Sequence, residues 1–287
     1  MSDSSILSQM IVALPDLREF HAPTNSVYAL LRDVVRREVV DTFAAEVAEP
    51  KAFGPFGDLV FPYVKMGAID SLDLFGLDEL IIFSFYWRNR ARYRRVLDLG
   101  ANIGLHSIML ARAGFTVTCY EPDPHHFSLL NRNLDNNAIT TVTPKQAAVA
   151  IEAGSLEFVR VLGNTTGSHL AGSKTNVYGD VERFKVEAVT FNSIIDGVDF
   201  IKMDVEGQEK KILTATQREH WQNLDMMCEI GSAENAASVF AHFQGIGINT
   251  FAQKIGWAKV ERVEDMPTSY HDGSLFISAK AEMPWNE

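Results

Sequence analysis

The period of the hydrophobic pattern changes within one stretch, VLDLGANIGLHSIMLARAG, which runs from Val96 to Gly114. A short apolar run at Val96, Leu97 and Leu99 is typical of a buried strand. Glycines then predict a tight turn, and the apolar residues after it recur at helical spacing. Because the first turn of a helix leaves backbone N–H groups unpaired, we expect a small ligand to bind at this turn. The apolar residues of the predicted helix are Ile103, Ile108, Leu110 and Ala111.

From residue 95 onward, most of the chain alternates between short β-rich apolar runs and helical patterns. Such alternation predicts a parallel sheet whose strands are joined by right-handed helical crossovers. In a sheet of this kind the ligand site lies at the carboxyl ends of the strands. The predicted strands span 95–99, 116–120, 142–144, 198–203, 226–230, 250–252, 258–262 and 274–278, and the predicted helices span 103–113, 124–134, 190–195, 207–215 and 234–243.

The alternation stops between residues 155 and 189, where two strand-like pieces, 156–162 and 184–189, predict an inserted β-hairpin. The polar, glycine-rich connection between them is long for a compact domain. It is either a functional loop that closes over the ligand pocket or an exposed hairpin tip without a function, and both interpretations stay open. Its polar residues are Asn164, Thr165, Thr166, Ser168 and His169.

Two further patterns precede the alternating part. Residues 27–47 carry apolar side chains at helical spacing with arginines between them, which predicts an amphipathic helix that caps the core or forms a homodimer contact. Residues 59–64 predict a short strand, and the stretch 70–86 predicts a second helix that begins near Asp78 and Glu79. We therefore expect a helical extension over residues 1–52 and one α/β domain over residues 53–287.

Composition narrows the classes of function. A formal net charge of -11 and a pI near 5.2 disfavour a nucleic-acid partner, because neutralising phosphates requires a basic patch. No apolar run approaches the roughly 18 residues that cross a bilayer, and the first residues lack the positive segment of a signal peptide. These features predict a cytoplasmic protein. Cys119 and Cys228 both fall in predicted strands, which favours buried thiols over a disulfide.

The residues of the glycine turn depart from the dinucleotide-binding fingerprint. That fingerprint places glycines at its first, third and sixth positions, which are Gly100, Asn102 and Leu105 here. Asp98 would repel a pyrophosphate but could hold a ligand with an ammonium group, such as S-adenosylmethionine. Glu121, at the end of the next predicted strand, can accept hydrogen bonds from two ribose hydroxyls. By itself this carboxylate serves NAD and S-adenosylmethionine equally.

The segments DLGANIG, YEPDP and FIKMDVEGQE, in this order and at these distances, resemble the FkbM family of S-adenosylmethionine-dependent methyltransferases. The similarity runs from about Gly54 to Ile277. It implies a Rossmann-like class I methyltransferase sheet of seven strands with the last pair antiparallel. The cofactor contacts that the resemblance implies are Asp98, Gly100, Ala101, Asn102, Gly104, Glu121, Pro122, Asp123, Ala147, Ala148 and Asp204.

Several charged residues follow the later strands. Unpaired charge at a buried strand end is costly, so IKMDVEG predicts a site, although a structural ion pair between Lys202 and Asp204 is the alternative. Methyl transfer to an alcohol needs a base, for which Asp204 is the first candidate, and Lys202 would stabilise the developing alkoxide. Glu206 and Glu229 would orient acceptor hydroxyls. With Asp204, these two could instead hold Mg²⁺, although no metal is expected.

The remaining candidates lie in loops. Asn164, Thr165, His169 and His271 are predicted to bind the substrate, and the histidines, with His106, are rival bases. The sequence thus predicts an O-methyltransferase that acts on a hydroxyl of a small polar acceptor, a sugar or a secondary metabolite. The alternatives are an NAD-dependent oxidoreductase and a non-catalytic binding protein on a methyltransferase scaffold.

Overall fold

A computed structural model of the protein describes residues 5–45, 47–173 and 179–285. Two helices, a two-stranded ribbon and a third helix precede the alternating part. Both leading helices begin at a side-chain cap: Ser5 Oγ accepts the Ser8 N–H, and Asn25 Oδ1 accepts the Val27 N–H. Caps of this type stabilise a helix by about 1 kcal/mol. These elements are α1 (Ile6–Ala13), α2 (Ser26–Phe43), β1 (Lys51–Ala52), β2 (Asp58–Leu59) and α3 (Leu77–Arg88).

The local predictions for this part need correction. Helix α1 was not predicted, and the predicted strand at 59–64 is reduced to the short β2. The helix predicted to begin near Asp78 and Glu79 agrees with α3, whereas the 3₁₀ turn before it, Ser71–Phe75, was not predicted. Gly76 lies between the two and serves as the N-cap of α3.

The alternating part follows in chain order. Its first strands and helices are β3 (Arg95–Leu99), α4 (Leu105–Arg112), β4 (Thr116–Tyr120), α5 (Pro124–Asn136) and β5 (Val142–Lys145). The inserted strands are β6 (Ala148–Ala150), β7 (Gly154–Val161), β8 (His169–Leu170) and β9 (Val181–Thr190). The last elements are β10 (Phe200–Met203), α6 (Glu209–Thr214), β11 (Asp225–Cys228), α7 (Ala233–Ile246), β12 (Asn249–Ala252), β13 (Ala258–Lys259) and β14 (Leu275–Ser278).

The predicted α/β sheet is confirmed. Its strand order is β13-β12-β14-β11-β10-β3-β4-β5. Strands β11, β10, β3, β4 and β5 are parallel, and β14 is antiparallel to both of its neighbours. The two-residue β13 adds an eighth strand at the edge. Strands β3 and β10 are hydrogen-bonded neighbours, and the chain proceeds from β3 toward one edge of the sheet and from β10 toward the other. Their carboxyl ends therefore form a topological switch point.

The inserted segment is larger than a hairpin. Strands β7 and β9 form the predicted antiparallel pair, and β6 and β8 extend it to a four-stranded sheet of order β6-β9-β7-β8. The predicted helix at 190–195 is only a 3₁₀ turn, Phe191–Ser193. Part of the glycine-rich connection, residues 174–178, lies outside the described residues.

Successive residues of the central strands pack on opposite faces of the main sheet. Val96 and Phe200 belong to one hydrophobic cluster, together with α1–α4, and Leu97 and Ile201 belong to the other, with α6 and α7. The amino-terminal helices thus share a core with the α/β part, whereas the predicted division at residue 52 stays a prediction. Leu30 is exposed on the outer face of α2. The homodimer contact that was predicted for this helix stays a prediction.

The described residues of the chain contain no helix long and apolar enough to cross a membrane. Cys119 and Cys228 are buried free thiols, as their positions in strands predicted.

Candidate cofactor and acceptor site

A cavity of about 650 Å³ lies at the carboxyl ends of β3, β4, β10 and β11. Its further walls come from the start of α3 and from the inserted sheet with the loop between β7 and β8. Most of the residues predicted from the sequence meet here. Those that line the cavity are Gly100, Ala101, Asn102, Glu121, Pro122, Asp123, Ala147, Ala148, Asn164, Thr165, His169, Lys202, Asp204, Glu206 and Glu229.

The turn between β3 and α4 forms a cradle at the bottom of this cavity. Gly100 and Gly104 have φ angles of 77° and 90°, and Asn102 has a φ of 51°, a conformation that asparagine tolerates. The Gly100 and Ala101 N–H groups donate to the Tyr120 carbonyl at 3.0 and 2.9 Å. Asn102 lines the cavity, while its side-chain oxygen is buried without a hydrogen-bond partner.

Glu121 joins this turn to the end of β4. Its Oε2 accepts the Asn102 N–H at 2.8 Å, and its Oε1 accepts the Asp123 N–H at 2.9 Å. Burial raises the pKa of Glu121 to about 8, although both amide hydrogen bonds oppose this effect. Each carboxylate oxygen keeps a lone pair for a further donor. The predicted role of Glu121 as a ribose ligand is compatible with this geometry and stays a prediction.

Two predicted cofactor contacts do not line the cavity. Asp98 is fully buried beneath the turn, where Oδ2 accepts the Ser107 hydroxyl at 2.6 Å and Oδ1 has no hydrogen-bond partner. A Cβ on Gly104 would lie 3.1 Å from Leu130 Cγ, so this glycine serves the packing of α4 on α5. Sequence spacing alone could not separate a residue that touches a ligand from one that lies behind it.

The segment after β10 forms a second tight turn. Glu206 and Gly207 have φ angles of 53° and 101°. Glu209, at the start of α6, braces this turn because its carboxylate accepts the Val205 N–H at 2.8 Å and the Gly207 N–H at 2.7 Å. Burial raises the pKa of Glu209 to about 7. Sequence reasoning missed this residue, although an acidic residue just after DVEG was its visible signal.

Lys202 and Asp204 form the ion pair that was the structural alternative, with 3.6 Å between Nζ and Oδ2. Lys202 is 9% exposed and is the register partner of Asp98 on the neighbouring strand. Burial alone would lower the pKa of Lys202, but Asp204, Asp98 and Glu79 raise it. The ammonium is therefore charged. Both partners of the pair also line the cavity, so the ion pair and a functional site are compatible.

Glu229 follows β11 on the same edge of the sheet. Burial, together with the nearby carboxylates of Asp204 and Glu206, raises the pKa of Glu229 far above its ordinary value. This carboxyl group consequently carries a proton at neutral pH and can donate a hydrogen bond. It fits the predicted role of orienting an acceptor hydroxyl better than the role of a base.

Several functional candidates were not found from the sequence. Glu79, in the first turn of α3, lines the cavity and pairs with His106 at 2.7 Å between Oε2 and Nε2. His106 Nδ1 is 2.9 Å from the hydroxyl of the buried Tyr86. Because both ring nitrogens have partners, His106 is a poor direct base. In the sequence, Glu79 looks like an ordinary acidic residue at a helix start.

One predicted substrate-binding residue, His271, needs correction. His271 does not line the cavity, whereas Tyr270 does, and its side chain is 67% exposed. The planes of the two rings are tilted by 41°, with their centroids 3.8 Å apart. Among the described residues, no group of three His, Cys, Asp or Glu side chains is arranged to hold a metal ion.

Comparison with known proteins gives the same family as the motifs. The family model described as the methyltransferase FkbM domain matches residues 98–244. Methyltransferase sdnD of Sordaria araneosa is 29% identical in an alignment of 162 residues that covers 44% of this chain and 62% of that protein. Methyltransferase 1 of Beauveria bassiana is 27% identical in an alignment of 154 residues that covers 45% of this chain and 61% of that protein. The match thus spans about three fifths of the length of these curated relatives.

Solved methyltransferase structures are also similar at low identity. The precorrin-6y C5,15-methyltransferase of Geobacter metallireducens matches with a TM-score of 0.39 and 11% identity, over 69% of this chain and 86% of that one. The N-terminal domain of human METTL16 in complex with SAH matches with a TM-score of 0.40 and 12% identity, over 87% and 82%. The family model covers more than half of the chain, so the protein belongs to the FkbM family of methyltransferases, which implies S-adenosylmethionine as its methyl donor.

Proposed function

We propose that the protein is an O-methyltransferase that transfers a methyl group from S-adenosylmethionine to a hydroxyl of a small, uncharged polar acceptor bound in this cavity. The observation that carries the proposal is the Lys202 and Asp204 pair, which lines the cavity beside the glycine cradle. A base and a cation at the same strand end are the two groups that an alcohol acceptor needs.

The cavity fits the cofactor in charge. Glu121 lines it beside the glycine cradle, where its carboxyl group is placed to accept ribose hydroxyls. S-adenosylmethionine carries a sulfonium and an ammonium group, and carboxylates outnumber lysines and arginines among the described lining residues. These carboxyl groups are Asp73, Glu79, Asp123, Asp204 and Glu206, besides Glu121 and Glu229, whose pKa values burial raises, against Lys202 alone.

Bound S-adenosylmethionine supplies an electrophilic methyl group. The protein must align the acceptor oxygen with it, and such positioning accounts for roughly 7 to 11 kcal/mol of the barrier. The acceptor O–H proton passes to the Asp204 carboxylate as the new oxygen–carbon bond forms and the sulfur–carbon bond breaks. The Lys202 ammonium stabilises the negative charge that develops on the acceptor oxygen.

The charge of the walls favours an uncharged acceptor. A phosphate or carboxylate group on the acceptor would meet an excess of like charge, which costs several kcal/mol where solvent is excluded. Protonated Glu229 donates to an acceptor hydroxyl, and the Glu206 side chain on the same cavity wall orients another. Tyr270, exposed at the mouth, offers an aromatic face to the apolar side of the acceptor. Together these groups suit a neutral polyol or glycoside.

The test is methyl transfer from isotope-labelled S-adenosylmethionine to a panel of neutral glycosides and hydroxylated metabolites, with sugar phosphates and sugar acids as charged counterparts. We expect O-methylated product from a neutral acceptor and none from its phosphorylated form. Asp204→Asn should lower turnover about a hundred- to ten-thousandfold while S-adenosylhomocysteine still binds. Asp33→Asn, on the exposed face of α2, is the matched control and should leave turnover unchanged.

Three results would contradict the proposal. Methylation of nitrogen or carbon would show that the chemistry is different. A preference for the phosphorylated acceptor would overturn the argument from charge. Cofactor binding with no turnover on any acceptor of the panel, in the wild type and in Asp204→Asn alike, would favour a non-catalytic binding protein on a methyltransferase scaffold.

A further inference from the structure

Arg160, on β7 of the inserted sheet, makes a bidentate ion pair with Asp123. Its Nε donates to Asp123 Oδ2 at 2.7 Å and its Nη2 donates to Asp123 Oδ1 at 2.6 Å. The third donor, Nη1, contacts Glu182 Oε2 at 2.6 Å, and the guanidinium lies 4.8 Å from the centre of the Phe184 ring. All of its donor nitrogens are thus fixed in one geometry, which is the arrangement that arginine favours with carboxylates.

The pair is largely withdrawn from water. The Asp123 side chain is 1% exposed and the Arg160 side chain is 17% exposed. Burial alone would raise the pKa of Asp123, but the hydrogen bonds from Arg160 hold it below its ordinary value. Asp123 is therefore an ionised, buried carboxylate whose bidentate cation comes from the inserted sheet. An unpaired carboxylate at this position would be strongly destabilised.

Asp123 connects this ion pair to the cofactor cradle. Its backbone N–H donates to Glu121 Oε1 at 2.9 Å, and Glu121 Oε2 accepts the Asn102 N–H at 2.8 Å. A continuous chain of contacts therefore runs from Arg160 through Asp123 and Glu121 to Asn102. The last three residues line the cavity, and Arg160 does not. Among the hydrogen-bond partners of Arg160, Asp123 is the one that lines the cavity.

The inserted sheet also forms a wall of the cavity. Phe158, two residues before Arg160 and on the same face of β7, lines the cavity, and so does Val161. A second polar contact to the main domain lies nearby, where His126 Nε2 is 3.0 Å from Thr165 Oγ1. The position of the inserted sheet against α5 thus determines the shape of the cavity on the side of Asp123.

We propose that Arg160 is a cofactor-positioning residue, which holds Asp123 and, through it, Glu121 and the glycine cradle in the geometry that binds the adenosine part of S-adenosylmethionine. The inference rests on the proposed use of this cavity for the cofactor. It makes cofactor binding depend on the inserted sheet, which lies outside the Rossmann-like core.

The test is calorimetric titration with S-adenosylhomocysteine, which needs no acceptor. We expect Arg160→Met to weaken binding about tenfold or more, the size of effect typical of a lost charged hydrogen bond. Arg160→Lys keeps the charge but not the two-pronged geometry and should lie between the wild type and Arg160→Met. Arg183→Met is the matched control: Arg183 lies on β9 of the same sheet and pairs with the exposed Glu157 at 2.8 Å. It should bind as the wild type does.

A double-mutant cycle between Arg160 and Asp123 distinguishes positioning of the cofactor from a purely structural role of Arg160. If Arg160 acts through Asp123, the double variant Arg160→Met/Asp123→Asn should bind no more weakly than the weaker single variant, because both remove the same interaction. Additive losses, or a lower melting temperature of Arg160→Met with unchanged affinity, would overturn the inference. Wild-type affinity of Arg160→Lys and Arg160→Met would overturn it too. A wild-type protein that does not bind S-adenosylhomocysteine would instead overturn the cofactor site itself, and the role of Arg160 with it.

Discussion

The α-carbon of Gly100 lies directly against the backbone carbonyl of Asp204, so closely that a Cβ built on Gly100 would overlap that oxygen. The Asp204 N–H donates to the Leu99 carbonyl at 2.9 Å, which fixes the two strand ends against each other. The cofactor cradle and the proposed base are consequently held at one spacing by backbone packing. Side-chain contacts alone would not hold it so firmly.

Gly100→Ala tests this contact. Gly100 has a φ of 77°, so alanine adds backbone strain of about 1 kcal/mol to the overlap with Asp204. We expect S-adenosylhomocysteine affinity to fall at least tenfold and the melting temperature to drop. The control is Gly114→Ala, which has a φ of 96° but no atom within 4 Å of the added carbon. Gly114→Ala should introduce backbone strain without an overlap, so its affinity for S-adenosylhomocysteine should equal that of the wild type. Equal affinities of Gly100→Ala and Gly114→Ala would contradict the account.

Glu209→Ala tests the brace of the second turn. The substitution leaves the partly buried N–H groups of Val205 and Gly207 without their protein acceptor, and each such group costs about 1 kcal/mol or more. Chemical denaturation should show a loss of about 2 kcal/mol or more in the free energy of unfolding. Glu234→Ala, which removes an exposed partner of Lys210, should change it little. Equal stability of the two variants would show that Glu209 does not brace the turn.

The stability of the protein should depend on pH through His21. Its Nε2 is 2.9 Å from the Leu14 carbonyl, and Trp257 Nε1 donates to its Nδ1 at 2.9 Å, so the buried ring is neutral. Burial lowers the pKa of His21 to about 4, and the charge of Arg18 adds to this. Between pH 4 and 6.5 the unfolded chain thus binds more protons than the folded one. Stability that is fully present above pH 6.5 is lost as the pH falls towards 4.

The measurement compares wild type with His21→Gln, which cannot titrate. Between pH 7.5 and 5 the free energy of unfolding of the wild type should fall by about 2 kcal/mol more than that of the variant. Other buried groups, such as His126 with its pKa lowered to about 4, are present in both proteins and cancel in the difference. Parallel pH profiles would contradict the assignment.

The order of the central elements could be predicted because it depends on local patterns. The alternation of strands and helices after residue 95 shows in the hydrophobic period, and the turns at Gly100 and Gly207 need backbone conformations that glycine adopts readily. The lengths of the predicted elements were less accurate. The predicted helix over 190–195, which is only the 3₁₀ turn Phe191–Ser193, is the clearest case.

The parts of the site that could not be predicted are long-range contacts. Arg160 reaches Asp123 across 37 positions, and Glu79 reaches His106 across 27, so no local spacing marks either pair. His271 and Tyr270 are adjacent, and only the direction of the 3₁₀ turn Tyr270–Asp272 decides which of them faces the cavity. Asp98 matched the motif but lies beneath the turn, because successive residues of a strand point to opposite faces of the sheet.

The most direct test of the central claim is calorimetric titration of the wild type, Glu121→Ala and Glu121→Gln with S-adenosylhomocysteine and, separately, with NAD. We expect S-adenosylhomocysteine to bind the wild type and NAD not to bind. Both variants should bind at least tenfold more weakly, because they lose a buried carboxyl group whose two oxygens also orient Asn102 and Asp123. Binding of NAD in preference, or wild-type affinity of both variants for S-adenosylhomocysteine, would contradict the assignment of this cavity.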